Sequence, residues 1–288
     1  MLKVNCALIF YLIAVSIGGL TIISTNWNAL QIFVGVSFIS LITYTLINIR
    51  HIRLCLNTVR QSPLLAIKLS IGLALMFLPI FYTQKHGVST VYYNLTFAII
   101  LALLGFIASK KYLSGFMLAG LMLGLLVWYK FEFYHCLAII GPAGGYYMLT
   151  ISRQIASNSK LSTLQLMCVR YIVLTLLCSM LLPWLDFKPA MFEMAEITKI
   201  LSIAIFMNII PIYCSQYVAL TASPSFMGKG TSLLPLTTLI ISHVFYKLPI
   251  SGFEIIYSLL IASPLIINWL RARIVFRKTL NYKLNQVC

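Results

Sequence analysis

Apolar residues run through this chain in long blocks, with polar and basic residues gathered between them. Ten blocks stand near residues 6–24, 30–48, 66–83, 90–108, 112–129, 134–152, 163–184, 200–220, 231–246 and 252–270. Each approaches the roughly 20 residues that a helix needs to cross a bilayer. The sixth contains Gly141-Pro142-Ala143-Gly144-Gly145, which predicts a broken or bent helix. The ninth is short and contains Pro235. The first exceeds the apolar core of an ordinary signal peptide and nine more follow it, so it is expected to remain as a first helix.

Composition agrees with that pattern. The chain is 61% hydrophobic and 9% charged, against roughly 25% charged residues in a soluble domain. Its mean hydropathy is +0.97. A water-soluble fold is excluded, and lipid is the expected partner of the outer surface. The net charge of +16 does not point to nucleic acid, because the basic residues lie singly or in small groups between apolar runs rather than on one basic face. With the N-terminus in the cytoplasm, the inner loops hold Lys3, Arg50, Arg53, Arg60, Lys68, Lys110, Lys111, Arg153, Lys160, Lys229, Arg271, Arg273, Arg277, Lys278 and Lys283. The outer loops hold Lys85, Lys130, Lys188, Lys199 and Lys247, with all five acids (Glu132, Asp186, Glu193, Glu196 and Glu254) at that side. That bias predicts both termini in the cytoplasm. None of the seven cysteines forms a CxxC pair, and most read as small apolar packing residues.

The chain also repeats itself. Leu69, Ser70, Ile71, Pro79, Ile80 and Gln84 recur without a gap as Leu201, Ser202, Ile203, Pro211, Ile212 and Gln216. Leu30-Gln31 opens the second block as Leu164-Gln165 opens the seventh, and Ser114-Gly115-Phe116 opens the fifth as Ser251-Gly252-Phe253 opens the tenth. The repeating unit is therefore five helices. Because five is odd, the second copy enters the bilayer from the opposite side. The expectation is an all-α polytopic membrane protein of ten transmembrane helices, built as two inverted five-helix repeats. The repeats would cover residues 1–132 and 133–288, the second ending in a short basic tail. Inverted repeats are a hallmark of alternating-access transporters.

Pro235, Phe245-Tyr246 and Ile250-Ser251-Gly252 near the end of the second half, and Leu113-Ser114-Gly115 in the first, resemble the half-closing frame of the drug/metabolite transporter superfamily, EamA type. Tyr146-Tyr147 followed by Arg153 is similar to that family's aromatic-then-basic pattern at the sixth helix. The acids usual in the frame are replaced by Leu248 and Lys111, and the first-half proline by Ala98. The resemblance implies an inner (plasma) membrane carrier of amino acids, metabolites or drugs.

Polar residues inside the blocks are the candidates for a site. Arg170 lies about seven residues into the seventh block, where a charge costs several kcal/mol unless it is paired or hydrated. A guanidinium there could bind a carboxylate through two parallel hydrogen bonds, or snorkel to the interface. Gln165, Asn94, Asn208, Tyr213 and Gln216 rank next, with interhelical hydrogen bonds as the competing role. Asn208 and Tyr213 flank Pro211, and turns broken by proline often line substrate sites. His243 and His135 could carry protons. No carboxylate lies within a block, which favours facilitated diffusion or exchange over proton coupling. Gly120 and Gly124 read as close helix packing. No residues are expected to act catalytically, to bind metal or to hold a cofactor. The expected partners are a small-molecule substrate and lipid, with a homodimer left open. The expected function is a secondary transporter of a small polar or amphipathic metabolite. A membrane-embedded enzyme and a lipid flippase are the alternatives.

Overall fold

The computed structural model describes residues 2–108, 112–128, 133–159, 161–222 and 224–263. Lys110, Lys111, Lys130, Glu132, Lys160, Trp269, Cys288 and the basic tail lie outside the described residues. Twelve helices are described, and no strand occurs among the described residues. They are α1 (Leu2–Ile22), α2 (Ala29–Ile47), α3 (Ile52–Gln61), α4 (Pro63–Lys85), α5 (Thr90–Ala108), α6 (Tyr112–Trp128), α7 (Phe133–Ser159) and α8 (Thr163–Ser179). After α8 come α9 (Met194–Thr221), α10 (Pro224–Thr231), α11 (Leu234–Tyr246) and α12 (Gly252–Ser263). Within α9, Ala204–Ile209 forms a π turn.

A helix occupies each of the ten expected stretches, but their lengths differ. By length and composition α1, α2, α4 and α9 can cross a membrane, and a fifth span is reached if α7 and α8, bent by 117°, are taken together. Several of the others are shorter: α6 and α8 have 17 residues and α11 has 13. Large apolar side chains such as Phe10, Ile42, Leu46, Leu123, Leu176, Val244 and Ile256 face outward. Long apolar helices with outward apolar faces fit a membrane-embedded protein.

Three local features add to that pattern. α7 continues through Pro142 without a break. Its glycines pack against α4, and a helix crossing a membrane tolerates proline where its neighbours re-satisfy the freed backbone groups. The ninth stretch is divided, because Pro235 sits in the first turn of α11, where its missing N–H costs nothing. The loop after α2 contains α3, a helix in its own right.

The beginnings of α2 and α8 share one motif. Asn28 Oδ1 accepts from Gln31 N at 2.9 Å, and Gln31 Oε1 accepts from Asn28 N at 2.8 Å. Ser162 Oγ accepts from Gln165 N at 3.3 Å, and Gln165 Oε1 accepts from Ser162 N at 2.9 Å. Both are capping boxes, which satisfy two orphan N–H groups at a helix start.

Helices from residues 1–128 pack mainly on helices from residues 133–263. α4 lies along α7, and α1 lies along α9. α5 packs on α7, and α11 packs on α1. α4 meets α8, and α2 meets α9; α2 crosses α8 and α5 meets α11. Glycines permit two close backbone approaches. A Cβ on Gly18 of α1 would lie 2.7 Å from the Met207 nitrogen of α9, and one on Gly144 of α7 would lie 2.8 Å from the Met76 nitrogen of α4. Gly120, read as a packing glycine, instead has nothing within 4 Å, while Gly124 sits against the Tyr257 hydroxyl.

Candidate functional site

The α8 helix brings Arg170 to a level where α4, α7 and α9 converge, and the guanidinium is 0% exposed. Its Nη2 donates to Ser152 Oγ of α7 at 3.0 Å and to Gln216 Oε1 of α9 at 2.9 Å. Nη1 lies 3.5 Å from the Met167 sulfur. Nε and the Gln216 Nε2 are buried without a hydrogen-bond partner. The helix holding Arg170 is fixed in turn by Ser70 of α4, whose Oγ lies 3.0 Å from the Arg170 carbonyl. No carboxylate approaches this guanidinium among the described residues; the described ion pair joins Lys199 to Glu196, on a different part of α9. A buried cation surrounded only by neutral groups is costly, and its free donor edge is disposed to accept an anion.

A second set of polar groups crosses α2, α8 and α9. The Tyr171 hydroxyl donates to Asn208 Oδ1 at 2.5 Å, and Asn208 Nδ2 donates to Ser40 Oγ at 2.8 Å. The Tyr44 hydroxyl donates to the Ile209 carbonyl at 2.8 Å, and its ring stacks on Tyr171 with centroids 5.4 Å apart. Ile209 ends the π turn, so the tyrosine satisfies a carbonyl where the regular ladder is disturbed. A third set joins α5, α11 and α1. Asn94 Nδ2 donates to Thr238 Oγ1 at 2.7 Å, and Ser16 Oγ lies 2.9 Å from the same oxygen. Between the second and third sets is a narrow apolar cavity lined by Tyr11, Phe77, Tyr93, Asn94, Met207 and Pro211. It has room for about one water molecule.

The end of the molecule that carries the described acids is drawn shut by Glu196. Its Oε2 accepts from Thr25 Oγ1 at 2.7 Å and from Asn26 N at 2.8 Å. Lys199 pairs with its Oε1 at 2.6 Å and donates to the Ser24 carbonyl at 2.9 Å. Lys85 Nζ donates to the Thr25 carbonyl, and Trp27 Nε1 donates to the Met191 carbonyl at 3.2 Å. Thus the α1–α2 loop is tied to α4 and α9 together.

The residues singled out from sequence therefore fall into separate places. Arg170 and Gln216 are in direct contact, Asn208 joins the neighbouring set, and Asn94 lines the cavity. Tyr213 is half-buried and stacks on Tyr217 with centroids 6.3 Å apart. The Gln165 side chain caps its own helix, away from the Arg170 head group. His243 is exposed in the last turn of α11, with Nδ1 3.3 Å from the Leu248 carbonyl. His135, the other possible proton carrier, is buried against the edge of Tyr92. Ser152, Tyr171, Ser40, Tyr44 and Thr238 were not anticipated; a hydroxyl inside each apolar run was their only signal. Six cysteines are free, and no group of three His, Cys, Asp or Glu able to hold a metal occurs among the described residues.

No protein-family model matches the chain, and no curated protein matches its sequence.

Proposed function

We propose that the chain is a secondary carrier of the drug/metabolite transporter superfamily, EamA type, that moves a small anionic or amino acid-like metabolite across the plasma membrane by alternating access. In this reading ten helices cross the bilayer as two inverted five-helix repeats, with both termini in the cytoplasm. No catalytic step is part of it. The paired capping boxes, the reciprocal helix contacts and the recurrence of Pro79 and Gln84 as Pro211 and Gln216 support the repeat.

The observation that carries the proposal is Arg170, a fully buried guanidinium held by neutral side chains of two other helices. A carboxylate partner would hold the cation permanently. Gln216 and Ser152 satisfy it only in part, so an incoming anion can take their place and gain two charge-assisted hydrogen bonds. The position that mirrors Arg170 through the two capping boxes is Val36, so the charge belongs to one half alone. With the Glu196 latch closed and the central cavity nearly empty of space, the structure suits an occluded carrier whose site opens when the halves rock about the Gly18 and Gly144 contacts.

Purified protein in proteoliposomes tests this. Labelled small carboxylic acids should enter faster than into protein-free vesicles and show counterflow, while the matching amides should not. Absence of protein-dependent flux for every acid in both directions would refute the carrier reading.

A further inference from the structure

The α3 helix lies between two helices long enough to span the membrane, α2 and α4, and packs on α8 and α4. Its buried face is small and apolar to weakly polar: Cys55 and Thr58 are buried, and Ile52 and Val59 are half-buried. Arg53 and Arg60 are exposed. Seven residues apart, they project within about 20° of one another. Exposed Leu54 and Leu56 flank them, and exposed Arg50 and His51 precede them. None of these cations meets an acid among the described residues. The described acids lie elsewhere: Glu196 holds the α1–α2 loop, Asp186 and Glu193 lie between α8 and α9, and Glu254 lines a pocket with Leu20, Ile23 and Thr90 at the far ends of α1 and α5. Among the described residues, the end of the bundle that holds α3 therefore carries positive charge without an acid beside it.

We propose that α3 is an interfacial seat for an anionic phospholipid, whose phosphate is bound by Arg53 and Arg60 with Arg50 beside them. The exposed leucines require hydrocarbon and the guanidinium groups require anions, and the boundary between acyl chains and headgroups supplies both within one helix diameter. Leu46, Ile49 and Leu64, exposed on the adjoining ends of α2 and α4, extend the apolar surface that the lipid chains would cover. The seat also bears on α8. Cys55 Sγ lies 3.7 Å from the Gln165 carbonyl, and Asn48 Nδ2 donates to the Leu164 carbonyl at 3.0 Å. A lipid that holds α3 in place thereby fixes the first turn of the helix that carries Arg170. This seat does not depend on what, if anything, the protein carries.

The test uses the full chain in vesicles of phosphatidylcholine and phosphatidylglycerol, of which only the second is anionic and attracts basic segments. Native mass spectrometry then counts the lipids that remain bound. Wild type should keep phosphatidylglycerol in preference to phosphatidylcholine. R53Q/R60Q should lose that preference by about 30-fold, because each basic residue at the surface contributes roughly fivefold. R53K/R60K, which keeps both charges, and K188Q, at the acid-bearing end, should retain the lipid. Equal retention of both lipids by wild type, or full retention by R53Q/R60Q, overturns the proposal. Displacement of the lipid by glycerol 3-phosphate alone would mark a simple anion site and overturns it too. Unchanged lipid retention in R53Q/R60Q with loss of an acidic soluble protein would assign α3 to that partner instead.

Discussion

Replacing Arg170 by Met removes the charge and keeps the length of the side chain. An arginine at the centre of a membrane helix costs about 2.5–3.5 kcal/mol on insertion scales, and the substitution returns that cost. Against it stands the Gln216 carbonyl, which loses the guanidinium at 2.9 Å; a buried acceptor without a partner costs about 1–3 kcal/mol. Ser152 still donates to the Met148 carbonyl at 2.7 Å, so its loss is minor. The balance runs from about zero to about 2 kcal/mol in favour of the variant. R170M should therefore unfold in detergent at the same denaturant concentration as wild type or a higher one, and should fail to take up carboxylates in proteoliposomes. This pattern, with stability kept and activity gone, is the expected behaviour of a side chain retained for binding. If Arg170 were structural, linking α7, α8 and α9, the variant would instead lose several kcal/mol. Either that loss or uptake equal to wild type would refute the assignment.

Two other perturbations probe the frame around the site. E196Q removes the charge that accepts from Thr25 and Asn26 and pairs with Lys199; it should loosen the α1–α2 loop by roughly 1–3 kcal/mol. A cysteine placed at Asn26 should then react faster with a membrane-impermeant maleimide, and an unchanged rate would show that Glu196 does not hold the loop. G144A pushes a methyl group into the α4 backbone and should lower the unfolding midpoint by about 1–3 kcal/mol equivalent. G120A, with open space around it, should be neutral or slightly stabilising; equal effects of the two would disprove the close approach of α4 and α7.

Much of the helix order was legible because each apolar run carries its own length. α3 was not, since ten residues with arginines and a glutamine read as loop by charge, and only their seven-residue spacing marks a helix face. The role of Gln165 was readable in retrospect: Ser162-x-x-Gln165 has capping-box spacing, and Asn28-x-x-Gln31 repeats it. The exposure of His243 is not legible in the ninth run, because α11 begins only after the break at Leu233 and puts His243 in its last turn. That Arg170 stands within an apolar run is plain in the sequence. Its partners are not, because a sequence does not give the rotation of α8 against α7 and α9. The Gly18-Gly19 and Gly144-Gly145 pairs stand in the sequence, and each marks a close helix crossing.

On the repeat reading, the π turn makes α9 an imperfect counterpart of α4. The two helices align without a gap, yet only α9 winds its middle more widely, over the six residues Ala204–Ile209. Gly18 accordingly meets the 206–207 peptide of α9, one step ahead of the place that Gly144 finds on α4. Two interchangeable levers would rest equally well tipped either way. Unequal levers give a seesaw a preferred tilt, and a cargo must supply the difference before the other side can open. On the carrier reading, the resting orientation of the protein is thus set by one wide turn of backbone, before any gradient acts on it.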